Sequence, residues 1–145
     1  MFQSIWEDVK REFSYGNMIT QLIIVNAAVF VLMGFVSVFL FFSSADSDAA
    51  QESFIAFQRL FSMSDSFMYN LTHPWVILTH MFLHVGFMHI LFNMLWLYWF
   101  GRIAGDFLGN QRILAIYLLG GLAGALAYFL SYLHRLEHYP LVLMP

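Results

Sequence analysis

The sequence contains no cysteine, and only 10% of its 145 residues are charged. Without cysteine the chain can form no disulfide, no thiolate metal site and no cysteine nucleophile. A soluble domain has about 25% charged residues, so this scarcity of charge argues against a soluble protein. Hydrophobic residues make up 61% of the chain and aromatic residues 19%. The composition therefore indicates an integral membrane protein, and the length limits it to one small domain.

Three stretches are apolar enough to predict transmembrane helices, because a helix needs about 20 mostly apolar residues to cross roughly 30 Å of hydrocarbon. They cover about residues 22–42, 87–107 and 113–133. The first and the third contain no charged residue. We therefore expect an all-α, polytopic transmembrane bundle over residues 1–145.

The positions of lysine and arginine predict the orientation, because short cytoplasmic loops are enriched in these residues. Lys10 and Arg11 precede the first span, and Arg102 and Arg112 lie around the connection of the second span to the third. Those on the other segments are Arg59 and Arg135. We therefore expect a cytoplasmic amino terminus, an outer loop over about residues 43–74 and an external carboxyl terminus.

Two further segments carry apolar residues at helical spacing among charged ones, which is typical of amphipathic helices. The first set is Phe2, Ile5, Trp6, Val9 and Phe13. The second set is Phe54, Phe57, Leu60 and Phe61. Each segment could lie on the membrane surface or pack against a partner helix, and the pattern favours neither.

Four polar side chains interrupt the apolar stretch HMFLHVGFMHILFN, residues 80–93. On one continuous helix, His80 and His84 would share a face, and His89 and Asn93 would share another about 140° away. Polar groups at membrane depth are costly unless they face the protein interior or a water-filled cavity. We therefore expect either a hydrated site or hydrogen bonds that join helices.

Several chemistries could use these residues. Zinc could take His80 and His84, but the metalloprotease pattern requires a glutamate directly after the first histidine, and Met81 stands there. Axial ligation of a haem normally draws histidines from two helices, and the third span offers none before His134. Two neutral donors on one helical face, such as His89 and Asn93, suit the stabilisation of an oxyanion.

The third predicted span contains the small-xxx-small pair Gly120 and Gly124. Such pairs let another backbone approach closely, so we expect these glycines to support helix packing.

The segment HMFLHVGFMHILFNMLWLYWFG, residues 80–101, resembles the second transmembrane helix of the rhomboid intramembrane serine proteases. The family signature there is a histidine, three apolar residues and an asparagine, preceded by further histidines. The similarity continues through GRIAGDFLGNQR, which resembles the cytoplasmic turn, and through the third span, rich in glycine and alanine. It covers essentially the whole chain, and its most specific part is His89 with Asn93.

The resemblance implies a rhomboid-like bundle of six or more spans, of which this chain would supply three. It implies peptide-bond hydrolysis by a serine nucleophile and a histidine base, without a metal or other cofactor. It assigns His89 and Asn93 to the oxyanion, and His84, His80 and Trp75 to structural roles near the site. The expected partners are membrane-inserted protein substrates and the lipid bilayer, with no nucleic acid, in a bacterial inner membrane.

The chain departs from the family pattern at several points. Many members carry a Trp-Arg pair in the outer loop, where this chain has Trp75 and Val76, so the anchoring of the loop is in question. The nucleophile of the family lies in a Gly-x-Ser-Gly turn, and no glycine here is followed two positions later by serine. We therefore expect the 145-residue chain alone to be inactive. The alternative function is a catalytically inactive module that binds client transmembrane helices.

Overall fold

The computed structural model describes residues 2–138, and within that range every regular element is helical. The α-helices are α1 Phe2–Tyr15, α2 Met18–Ser43, α3 Ser47–Arg59, α4 Phe67–Thr72, α5 Val76–Thr79, α6 Phe87–Leu108 and α7 Ile113–His138. Short 3₁₀ turns at His80–Phe82 and Asn110–Arg112 precede α6 and α7. The prediction of an all-helical fold is confirmed for these residues.

The apolar helices differ in whether each could cross a membrane by itself. By length and composition, α2 and the segment Asn110–His134 could each do so. Helix α6 qualifies only together with Val76–Phe82, from which it is bent by 93°. The described residues thus hold two helices that could span a membrane, or three if the bent pair forms one broken span.

The expectation of one continuous helix through residues 80–93 is wrong. Helix α6 begins only at Phe87, and its N-cap residue Gly86 has φ 90° and ψ 154°. That conformation is open essentially to glycine alone, so this residue allows a sharp turn inside an apolar run. His80 therefore lies in a 3₁₀ turn and His84 in the link before α6, and neither shares a helix with His89.

The buried core forms where α2, α6 and α7 meet. Its buried members are Ile19, Leu22 and Ile113. A Cβ atom at Gly101 of α6 would lie 3.1 Å from Ile19, so the glycine lets the two helices approach closely. Small residues at such contacts strengthen van der Waals packing, which drives helix association in membranes.

One asparagine caps the start of α2, and another joins this start to the connection between α6 and α7. Asn17 caps α2 by accepting a hydrogen bond from the Thr20 amide, 2.9 Å from its Oδ1 atom. Asn110 Oδ1 accepts from the Met18 amide at 2.8 Å. The first turn of α2 and the α6–α7 connection therefore lie at the same end of the bundle.

In α7 the close helix contact is made by Gly121, a neighbour of the predicted pair Gly120 and Gly124. A Cβ atom at Gly121 would overlap the sulfur of Met81, so this glycine makes the close contact. Apart from the adjacent residues and backbone of α7 itself, no atom of the described chain lies within 4 Å of a Cβ built at Gly120 or Gly124. A packing role for that pair stays a prediction for a partner outside the described residues.

The second amphipathic segment is mostly helix α3, and α3 packs on α2. Phe57 and Phe61 line an apolar cavity of about 450 Å³ together with Val25 and Met33 of α2. The structure therefore favours the partner-helix interpretation for this segment.

Candidate functional site

His89 and Asn93 lie one turn apart near the beginning of α6. Both side chains are exposed, whereas Ile90 and Gly101 on the neighbouring face are buried. Within residues 2–138 neither side chain makes a hydrogen bond. The imidazole and the carboxamide are therefore available to bind a group that approaches this face of α6.

The ring of His84 supports His89 from the link before α6. His84 is 9% exposed, and its ring centroid lies 5.1 Å from that of His89. Its Nδ1 atom lies 3.1 Å from the carbonyl oxygen of Phe82. Because a carbonyl only accepts, Nδ1 carries the proton of the neutral ring and Nε2 is left as an acceptor.

A small cavity of about 200 Å³ adjoins His84 on the side of α2 and α3. Ser37 of α2, Gln58 of α3 and Gly86 also line it. Ser37 and His84 therefore line the same cavity, and an experiment on the function has to test Ser37 as a nucleophile. Local sequence patterns do not pair Ser37 with His84, because 47 positions separate the two residues.

His80 occupies a different place. Its Nδ1 atom lies 3.0 Å from the Val76 carbonyl oxygen, and its ring lines an open groove of about 660 Å³ beside α7. Met81, Tyr117 and Gly121 line the same groove. The structure thus brings His84 and His89 together and leaves His80 apart from them.

A buried polar network that the sequence did not predict holds the 3₁₀ turn against the bundle. Asn26 is 0% exposed, and its Nδ2 atom donates to the Leu22 carbonyl at 2.8 Å and to the Tyr117 hydroxyl at 3.2 Å. The Tyr117 hydroxyl donates to the Met81 carbonyl at 3.0 Å. The network therefore ties α2 and α7 to the segment that leads to His84.

Helix α5 and the residue before it are bonded to the end of α3, although Val76 stands where the rhomboid resemblance leads us to expect arginine. The indole nitrogen of Trp75 donates to the Leu60 carbonyl at 2.8 Å, and Thr79 Oγ1 donates to the Phe61 carbonyl at 2.7 Å. Val76 is 0% exposed and packs inside. The burial of Val76 and the two bonds join α5 to the end of α3.

The comparisons with known proteins each cover only part of the chain. The family description "Rhomboid domain" matches residues 71–140. Curated relatives named rhomboid protease GlpG, from Salmonella newport (strain SL254), Salmonella heidelberg (strain SL476) and Salmonella typhi, are 38% identical over 48 residues. That alignment covers 33% of this chain and 17% of each relative's length. No solved structure matches the chain significantly. Over these residues the chain is similar to the rhomboid domain and to proteins named rhomboid protease.

Proposed function

We propose that the chain is part of a rhomboid-type intramembrane serine protease that hydrolyses peptide bonds of membrane-inserted proteins. The observation that carries the proposal is the exposed pair His89 and Asn93, one turn apart on α6 directly after the Gly86 break. The similarity to proteins named rhomboid protease supports the same reaction.

In this mechanism a serine hydroxyl attacks the scissile carbonyl, and a histidine base removes the hydroxyl proton. The carbonyl oxygen then becomes an oxyanion. An imidazole N–H of His89 and the amide N–H₂ of Asn93 are neutral donors that can stabilise this charge in a site of low dielectric constant. Neither residue has to give up another hydrogen bond within the described part of the chain. His84 would hold the His89 ring in place.

We assign neither the nucleophile nor the base to a described residue. On the rhomboid resemblance, we expect both on further helices of the protease. The exposed side of α6 that carries His89, Asn93 and Trp96 is the surface that we propose receives those helices. The oxyanion donors would then face the nucleophile across a helix contact.

The location of charge supports the orientation that this function requires. Arg102 and Arg112 lie on or beside the α6–α7 connection, at the same end as the start of α2. Lys10 and Arg11 of α1 precede that start by a few residues. Cations gathered at one end favour a cytoplasmic position for it, so the site near Gly86 would open towards the outer side.

The alternative is an inactive rhomboid-like module that captures client transmembrane helices. The exposed aromatic side chains Trp96, Trp99 and Phe100 on α6 favour it, because an apolar helix face can receive another helix in the membrane.

Two preparations distinguish the candidates: the 145-residue chain, and the product of the longest reading frame that continues through Pro145. Both are reconstituted with a membrane-inserted model substrate and treated separately with a serine-directed fluorophosphonate. We expect cleavage and stoichiometric labelling only from a product that contains a Gly-x-Ser-Gly turn. Binding of the substrate helix without cleavage by either product would favour the inactive module. Labelling of Ser37 in the 145-residue chain would show that the nucleophile has been assigned wrongly.

A further inference from the structure

Helix α1 presents an apolar face that nothing in the described part of the chain covers. The side chains of Ile5 and Trp6 are 53% and 66% exposed. In the sequence, Phe2, Val9 and Phe13 recur at the spacing of the same helical face. An exposed face of this kind needs an apolar occupant.

The opposite face of α1 is charged and self-paired. Asp8 and Arg11 form an ion pair of 2.9 Å, and Glu7 and Lys10 are also exposed. The helix has 14 residues, so it is about 21 Å long, which is too short to cross roughly 30 Å of hydrocarbon. It can therefore lie along a membrane but cannot span one.

The connection to α2 fixes the height of α1 relative to the bundle. Only Gly16 and Asn17 separate the two helices. Since α2 can span a membrane, the end of α1 must lie near the level at which α2 enters the bilayer.

Side chains on α6 mark that level as a membrane interface. Gly101 of α6 packs against Ile19 in the first turn of α2. Around Gly101, Trp99 is exposed, and Arg102 donates to the Tyr98 hydroxyl at 2.9 Å with its guanidinium 5.6 Å from the Tyr98 ring centroid. Tyrosine and tryptophan are enriched at the boundary between hydrocarbon and headgroups, and an arginine beside them can reach the headgroups.

We propose that α1 is an interfacial anchor that lies in the plane of the bilayer. Ile5 and Trp6 insert between the headgroups and the upper acyl chains, and Glu7 and Arg11 face water. The occupant of the apolar face is therefore lipid, and neither a second copy nor a partner protein is required. The sequence of α1 contains three acidic residues, Glu7, Asp8 and Glu12, and two basic residues, Lys10 and Arg11. Its net charge is therefore −1. Insertion must then come from apolar contact and not from attraction to anionic lipid.

The absence of cysteine from the sequence makes site-directed spin labelling direct. Single variants Ile5→Cys and Glu7→Cys are labelled in the full chain and reconstituted in phosphatidylcholine vesicles. Both sites are exposed and two positions apart, so each serves as the control for the other. Val31→Cys, exposed on the middle of α2, calibrates the value for hydrocarbon. The measured quantity is the ratio of collision rates with oxygen and with a water-soluble nickel chelate.

We expect the ratio at Ile5 to exceed that at Glu7 several-fold and to approach the value at Val31. The ratio should not change when phosphatidylglycerol replaces part of the phosphatidylcholine. Equal ratios at the two sites would place α1 in water and overturn the proposal. Protection of the Ile5 label from both reagents would show a protein occupant, and spin–spin broadening that rises with protein density would identify a second copy. If either variant fails to fold, Trp6→Cys and Arg11→Cys provide the same comparison.

Discussion

The imidazole rings of His84 and His89 lie 5.1 Å apart, although the backbone between them turns sharply at Gly86. His84 belongs to an irregular link and His89 to the first turns of α6. Their proximity therefore depends on the conformation of one glycine. Two residues that a continuous helix would hold on different faces come together because the helix is interrupted.

The first prediction tests that glycine. Gly86 and Gly109, which flank α6, have φ values of 90° and 87°. Apart from their chain neighbours, no atom of the described residues lies within 4 Å of a Cβ built at either glycine. Replacement by alanine should therefore cost backbone strain without a clash, about 1–3 kcal/mol in each case. Thermal unfolding in detergent should show a similar loss for both variants. Hydrogen exchange should rise around residues 83–90 only for Gly86→Ala, and unchanged stability of both variants would contradict the prediction.

The sequence predicted part of this arrangement for identifiable physical reasons. Periodicity and apolar runs located α2, α6 and α7, and the four-residue spacing placed His89 and Asn93 one turn apart. The break at Gly86 was missed because a single glycine within an apolar run is compatible with a helix. The contact of Asn26 with Tyr117 joins residues 91 positions apart, and local pattern carries no information about such a pair.

The second prediction concerns the network of Asn26 and Tyr117. Tyr117→Phe removes the hydroxyl that links Asn26 to the Met81 carbonyl and should lower stability in detergent by about 0.6 kcal/mol, with about 1.7 kcal/mol as the upper range. Asn26→Leu should lose a comparable amount. Because the residues share one bond, the losses in the double variant should not add. Tyr128→Phe is the control, since the Tyr128 hydroxyl makes no hydrogen bond within residues 2–138. Full additivity would mean that the two residues act independently.

The third prediction concerns the bond between Trp75 and the end of α3. Trp75→Phe keeps an aromatic ring but loses the donor to the Leu60 carbonyl. Hydrogen exchange of the backbone amides that follow α3, over residues 60–64, should become faster in this variant. Trp99→Phe, at an exposed ring on α6, should leave the same amides unchanged. Equal exchange in the two variants would show that the indole bond does not anchor the loop.

The fourth prediction concerns topology. Asn110 lies beside the start of α2, and Ser47 follows the end of α2 by a few residues. Helix α2 has 26 residues, or about 39 Å at helical rise, so these positions should lie on opposite sides of a membrane. Reporter fusions should place Ser47 outside and Asn110 in the cytoplasm. A cytoplasmic signal from Ser47 would reverse the proposed orientation.

The last prediction separates oxyanion donors from structural histidines in the protease that we propose contains this chain. His89→Ala and Asn93→Ala should each lower the turnover number about 100- to 1,000-fold, or roughly 3–4 kcal/mol of transition-state stabilisation, with little change in KM. Both side chains are exposed and make no hydrogen bond within residues 2–138. Their removal should therefore change the unfolding free energy of the 145-residue chain by less than about 0.5 kcal/mol.

His84→Ala is the matched comparison, because His84 is buried and hydrogen-bonded to Phe82. That variant should lower the unfolding midpoint of the 145-residue chain, and its loss of turnover should follow both the folded fraction and the displaced ring of His89. His80→Ala, in the separate groove beside α7, should affect turnover least of the four. Thermal unfolding and turnover, both measured on the same four variants, distinguish oxyanion donors from residues that only stabilise the fold. If His89→Ala and Asn93→Ala lose turnover only in proportion to the folded fraction, these residues hold the fold and do not stabilise the oxyanion.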